Sequence, residues 1–131
     1  MRHCGPDARG QMAVEFAVAM PVIAAVAFIL VNGLIFAGDC AAFDIAARDA
    51  IRMQADDGWE PQAASEVRVR IEDRLGMEHE SVEVTCEKTG SGHVRYTAAA
   101  NFSPPFLEGV NVFGIEAFAL RHEAEFTVSP Y

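Results

Sequence analysis

From Phe16 to Gly38 the chain runs for 23 residues without one charged side chain. About twenty mostly apolar residues suffice to cross a bilayer core at about 1.5 Å per residue. A soluble helix of that length would normally keep a polar face. The pattern therefore predicts a membrane-spanning helix. Beyond Gly38 it becomes amphipathic: Phe43, Ala46, Ala47, Ala50 and Ile51 recur at helical intervals, with Asp44, Arg48, Asp49 and Arg52 on the other side. One helix is expected to run from the membrane into a folded domain and to end near Asp57-Gly58. Trp59-Glu60-Pro61 breaks the chain, and Pro61 suits the first turn of a new helix. Ala64, Val67, Ile71 and Leu75 make a second apolar stripe, with Gly76 as its stop.

The period then shifts to two. Val82, Val84 and Cys86 alternate with Glu83, Thr85 and Glu87. Thr89-Gly90-Ser91-Gly92 is a turn cluster, and Val94, Tyr96, Ala98, Ala100 and Phe102 continue the alternation, so a hairpin is expected. Ser103-Pro104-Pro105 closes it. Phe118, Leu120, Ala124, Phe126 and Val128 alternate with Arg121, Glu123, Glu125 and Thr127 as a third strand. Three strands with one apolar face need a cover, which the two helical stripes supply. The expected fold class is α+β: a long N-terminal transmembrane helix continuing into a small domain with a second helix and a three-stranded antiparallel sheet.

Charge sharpens this division. Of 19 acidic and 10 basic residues, all but Asp7, Glu15, Arg2 and Arg9 lie from Asp39 onward, so the whole net charge of −9 belongs to the domain. So acidic a surface is a poor partner for nucleic acid or anionic lipid. Arg2 and Arg9 precede the span and favour a cytoplasmic N-terminus. A secretory signal would carry a shorter apolar region of about 7–15 residues. Phe36-Ala37-Gly38 is the alternative, a weak cleavage site. Asp39 before Cys40 departs from a lipoprotein signal.

Glu15 stands between Met12-Ala13-Val14 and Phe16-Ala17-Val18. An ionised carboxylate costs about 2.5–3.5 kcal/mol at a bilayer centre, and less near its edge. Either it sits at headgroup level or it has a partner. A cut after Gly10 would give Gln11 a new α-amino group, largely protonated near neutral pH. Gln11 and Glu15 are one helical turn apart. A neighbouring copy could also offer its amine, and the carboxylate would then act as a registry device between subunits.

Gly10-Gln11-Met12-Ala13-Val14-Glu15-Phe16 resembles the processing site of prepilins. The longer stretch from Arg9 through Pro21 resembles the TadE-like minor pilins, or pseudopilins, of the tight-adherence pilus system. Asp44-Ile45-Ala46-Ala47-Arg48-Asp49-Ala50-Ile51-Arg52 is similar to that family's helix after the span. The resemblance covers about residues 9–52. It implies a leader at 1–10, a transmembrane helix at 11–38 and an extracytoplasmic pilin-like domain at 39–131. It also implies a prepilin peptidase that cuts after Gly10, with Gln11 as the new first residue and Glu15 and Phe16 as assembly residues. Other pilin subunits and the assembly platform are the implied partners, in a hetero-oligomer. The implied location is the inner membrane or the pilus. Pro21 removes one helical hydrogen bond and is expected to kink the helix.

Cys4 would leave with the leader. Cys40 and Cys86 then form an even pair on the oxidising side, either bridged or as two free thiols. His3, His79, His93 and His122 have no metal-type spacing, and no catalytic motif stands out. Gly90 and Gly92 lack a phosphate-loop context, and Asn101-Phe102-Ser103 is a formal glycosylation match of the kind chance supplies. No cofactor and no enzymatic activity are expected. Two other classes stay open: a single-pass protein whose outer domain binds another envelope component, and a thiol or metal enzyme.

Overall fold

The structure is a computed structural model that describes residues 8–57, 62–77, 81–90, 92–103 and 120–129. Helix α1 spans Ala8–Asp57, 50 residues, and runs through Pro21 without interruption. At the α-helical rise it is about 75 Å long. Helix α2 spans Ala63–Leu75 and ends at Gly76, whose φ of 63° lies in the left-handed region. Met77 N–H donates to the Glu72 carbonyl at 3.0 Å, which closes the helix end as a Schellman-type turn. Strands β1 (Val82–Lys88), β2 (Val94–Phe102) and β3 (Leu120–Val128) form an antiparallel sheet in the order β1-β2-β3. The β1–β2 turn is held by Thr89 N–H to His93 O (2.8 Å) and Gly92 N–H to Thr89 O (2.9 Å). Gly92 there has a φ of 82°, which favours glycine.

The helix and strand patterns read from the sequence are present, and the fold is α+β. Phe43, Ala46, Ala47, Ala50 and Ile51 of α1 are all buried. They meet Ala63, Val67 and Ile71 of α2 and the inward row Val82, Val94, Tyr96, Ala98, Ala100 and Ala124 of the sheet. Phe43 is 0% exposed. Burying a side chain of that size contributes about 1.5–3 kcal/mol. On the outer face Arg121 of β3 reaches Glu83 of β1 at 2.9 Å. That ion pair crosses the middle strand, where Ala99 is buried despite its outward position.

Asp44, Arg48 and Asp49 lie outside the buried stripe of α1, as its spacing predicts, and each also touches a neighbouring element. Asp44 meets His122 of β3, Arg48 lies over the Phe126 ring at 5.7 Å, and Asp49 pairs with Arg74 of α2 at 2.9 Å. The reason is geometric: sheet and α2 cover α1 from two directions, so the flanks of its apolar stripe also become contact surface. Trp59-Glu60-Pro61, Glu78-His79-Glu80, Ser91, Pro104-Pro105 and Phe118 lie outside the described residues, as do residues 1–7.

Candidate functional site

The first half of α1 differs from the second in having nothing of the described domain against it. Met12, Val14, Phe16, Val18, Met20, Val22, Ile23, Val26, Ile29, Leu30 and Leu34 are exposed, and they point in all directions around the axis. The helix is long and apolar enough to cross a membrane.

Glu15 lies within this apolar surface. The residue borders a shallow depression of about 500 Å³ otherwise walled by Val14, Val18, Ala19, Val22 and Ile23. The Gln11 side-chain amide donates to Glu15 Oε1 at 3.3 Å, one turn away. The expected proximity of residues 11 and 15 is therefore present. Among the described residues no cation pairs with the carboxylate. Phe16 is exposed beside it. A Cβ at Gly10 would meet nothing within 4 Å, so the fold itself does not require glycine there.

Asn32 is a second polar group in the apolar run, and pattern reading passed over it. It is only 6% exposed; its Nδ2 donates to the Phe28 carbonyl at 2.8 Å, and its Oδ1 finds no partner among the described residues.

A third cluster joins the helix to the sheet. Phe36 and Phe43 both meet Phe102 edge-on, with centroids 6.4 and 5.8 Å apart. Such pairs add about 0.5–1.5 kcal/mol each beyond area burial. Phe43 also meets the His122 ring edge-on at 5.9 Å, and His122 Nε2 lies 2.8 Å from Asp44 Oδ1. Sequence reading assigned His122 no role. Its signal was parity: it falls between Leu120 and Ala124 on the inward side of β3, where a polar ring needs a partner. Glu72 was missed likewise. It is buried in α2, and its Oε1 accepts the Val82 N–H at 3.2 Å.

Of the two alternatives left open for Cys40 and Cys86, the structure has the second: both are free thiols. Cys40 lies one turn before Phe43, at the Phe102 end of the sheet. Cys86 pairs with Tyr96 toward the opposite, β1–β2 turn end. An even cysteine count gave no information about this separation along the sheet. Burial pushes the Cys40 thiol above its ordinary value, and the carboxylates of Asp44 and then Asp39 push in the same direction. Tyr96 is pushed up to about 12, first by burial and then by Cys86 beside it. Among the described residues no group of three or more His, Cys, Asp or Glu side chains is placed to hold a metal ion. No protein-family model, curated protein or solved structure matches the chain.

Proposed function

We propose that this chain is a structural minor pilin of the TadE-like kind, processed after Gly10 and anchored in the inner membrane by α1. The N-terminus lies in the cytoplasm and the α+β domain outside. Its work is done by packing, with no catalytic step. The observation that carries the reading is the carboxylate of Glu15 on an otherwise apolar surface, with no cation against it among the described residues, one turn from Gln11 and five residues after a glycine the fold does not need. Cleavage would place an ammonium group at Gln11, and that group from the same or a neighbouring chain neutralises Glu15. Neutralisation in one axial register selects that register during assembly.

Retention of the apolar segment has its own support. Phe36 packs on Phe102 and α1 is unbroken from Ala8 to Asp57, so a cut at the 36–38 signal-like site would sever a helix that the domain uses. The resemblance adds adhesion, biofilm formation or secretion as settings for such a filament.

Two substitutions test the reading in cells that assemble the filament. Gly10→Trp leaves the fold intact and the precursor uncut. Glu15→Ala permits cleavage and reduces incorporation into filaments at least tenfold. Normal filaments from Glu15→Ala cells would remove the pairing idea. A processed protein that never polymerises would instead leave a single-pass anchor for an envelope-binding domain.

A further inference from the structure

The charge-free run from Phe16 to Gly38 has Ala27 at its middle. A hydrocarbon core of about 30 Å takes up about ten residues of helix on either side of that point. With α1 spanning the membrane, the outer edge of the core falls at Phe36-Ala37, and Asn32 lies about 7 Å inside it. At that depth one side of α1 is already covered. Asn32 is buried, and Phe36 and Cys40, which follow it at helical intervals, are half-buried, while Val31, Gly33, Leu34 and Ala37 are open. An amide turned toward lipid would be costly. Here the side chain is withdrawn from lipid, and its Nδ2 donates to the Phe28 carbonyl.

The described part of the domain that reaches this depth is one end of the sheet. Phe102, the last residue of β2, meets both Phe36 and Phe43 edge-on. Across the ladder from it stands Leu120, the first residue of β3. Farther along β3 the contacts climb α1: His122 meets Phe43 and Asp44, and Phe126 lies under Arg48. Leu120 is 40% exposed, the one large apolar side chain left open among the described residues of the sheet. Its neighbours Asn101 and Arg121 are exposed and polar, and a long arginine stem lets its charged head stay in water beside an apolar layer.

We infer that the Phe102–Leu120 end of the sheet is seated in the outer leaflet, at the boundary between acyl chains and headgroups. The domain then touches lipid directly and does not stand off the membrane on α1 alone. Phe36 fixes the depth, because Phe102 cannot pack on it without reaching the same level. The contact is apolar: a domain that carries the whole net charge of −9 gains nothing from anionic lipid. This inference rests on the spanning reading of α1, and needs neither cleavage after Gly10 nor assembly.

The test uses the full chain in phosphatidylcholine vesicles whose acyl chains carry bromine, a contact quencher of tryptophan, either near the headgroup or near the terminal methyl. Trp59→Phe removes the single native tryptophan. Into that background single reporters are placed: Leu120→Trp, Asn101→Trp as a second reporter at the same end, Thr127→Trp near the far end of β3, and Ile23→Trp within the span. Circular dichroism identifies the variants that keep the fold. Leu120→Trp and Asn101→Trp should be quenched at least threefold more by the shallow bromine than Thr127→Trp is. Ile23→Trp should be quenched most by the deep bromine. If Ile23→Trp behaves so while neither reporter at the Phe102–Leu120 end is quenched, the seating is overturned and the span survives; a blue-shifted but unquenched Leu120→Trp would give that surface to protein. Equal quenching at Leu120→Trp and Thr127→Trp also overturns it. An unquenched Ile23→Trp overturns the spanning reading and this inference with it.

Discussion

The two halves of α1 are one continuous helix in two environments. Ile23 is 56% exposed and Ile45 is 60% exposed, so exposure alone does not separate them. Their surroundings do. Around Ile23 every side of the helix is apolar and open. Around Ile45 a single stripe, from Phe43 to Ile51, is buried, and its flanks carry Asp44, Arg48 and Asp49 in contact with sheet and α2. An amphipathic helix is written for water on one side and protein on the other; a helix that is apolar all round is written for lipid or for other apolar helices. Glu15 and Asn32 are the polar exceptions in the first half. Each has a hydrogen bond within its own turn, and each keeps acceptor capacity unused by the described residues.

Substitutions can break this comparison in order of effect. Phe43→Ala removes a fully buried ring from the helix–sheet junction and should cost about 3–5 kcal/mol of domain stability. Ile29→Ala, in the open half, should leave the same unfolding transition in place. Denaturant titration of the detergent-solubilised chain, followed by tyrosine and tryptophan fluorescence, compares them. Next, Ile23→Asp should oppose insertion by about 2.5–3.5 kcal/mol and shift protein out of the membrane fraction. Ile45→Asp should stay in it and change stability by no more than about 0.5 kcal/mol. Equal behaviour of these two variants would abolish the distinction between the halves.

The embedded side also has a pH signature. Tyr96 is 2% exposed and its folded-state value is raised to about 12, so the folded state holds the phenolic proton more tightly than the unfolded state. That contribution is complete below about pH 10 and is lost as pH rises toward 12, up to about 2–3 kcal/mol. Phenolate absorbance should therefore rise together with unfolding, and Tyr96→Phe should flatten the alkaline slope. Among the substitutions expected to destabilise the domain, the smallest loss is at His122. His122→Ala loses the 2.8 Å contact with Asp44 and the edge contact with Phe43, costing about 1–2 kcal/mol. The thermal midpoint measures it. Methionine at Val26 serves as the silent partner in the open half.

Much of this was legible as periodicity. The unbroken apolar run, the stripe from Phe43 to Ile51, the stop at Gly76 and the alternation in β1 and β2 all follow from side-chain spacing, which local geometry fixes. The Gln11–Glu15 contact was legible for the same reason, since four residues make one turn. Pairings across long sequence distance were not. His122 meets Asp44 across 78 residues, and Arg121 meets Glu83 across 38. Which side of α1 faces β3 and which faces α2 depends on how the elements dock. The same docking decides that Cys40 and Cys86 sit at opposite ends of the sheet and that Phe102 packs on Phe36.

The account depends most on a freed amine at Gln11. Mass spectrometry of the N-terminal peptide from the membrane-bound protein measures that directly. The expected result is a chain beginning at Gln11, found with the membrane. A native chain that keeps Met1 and the residues up to Gly10, or one recovered from the soluble fraction, would contradict the account.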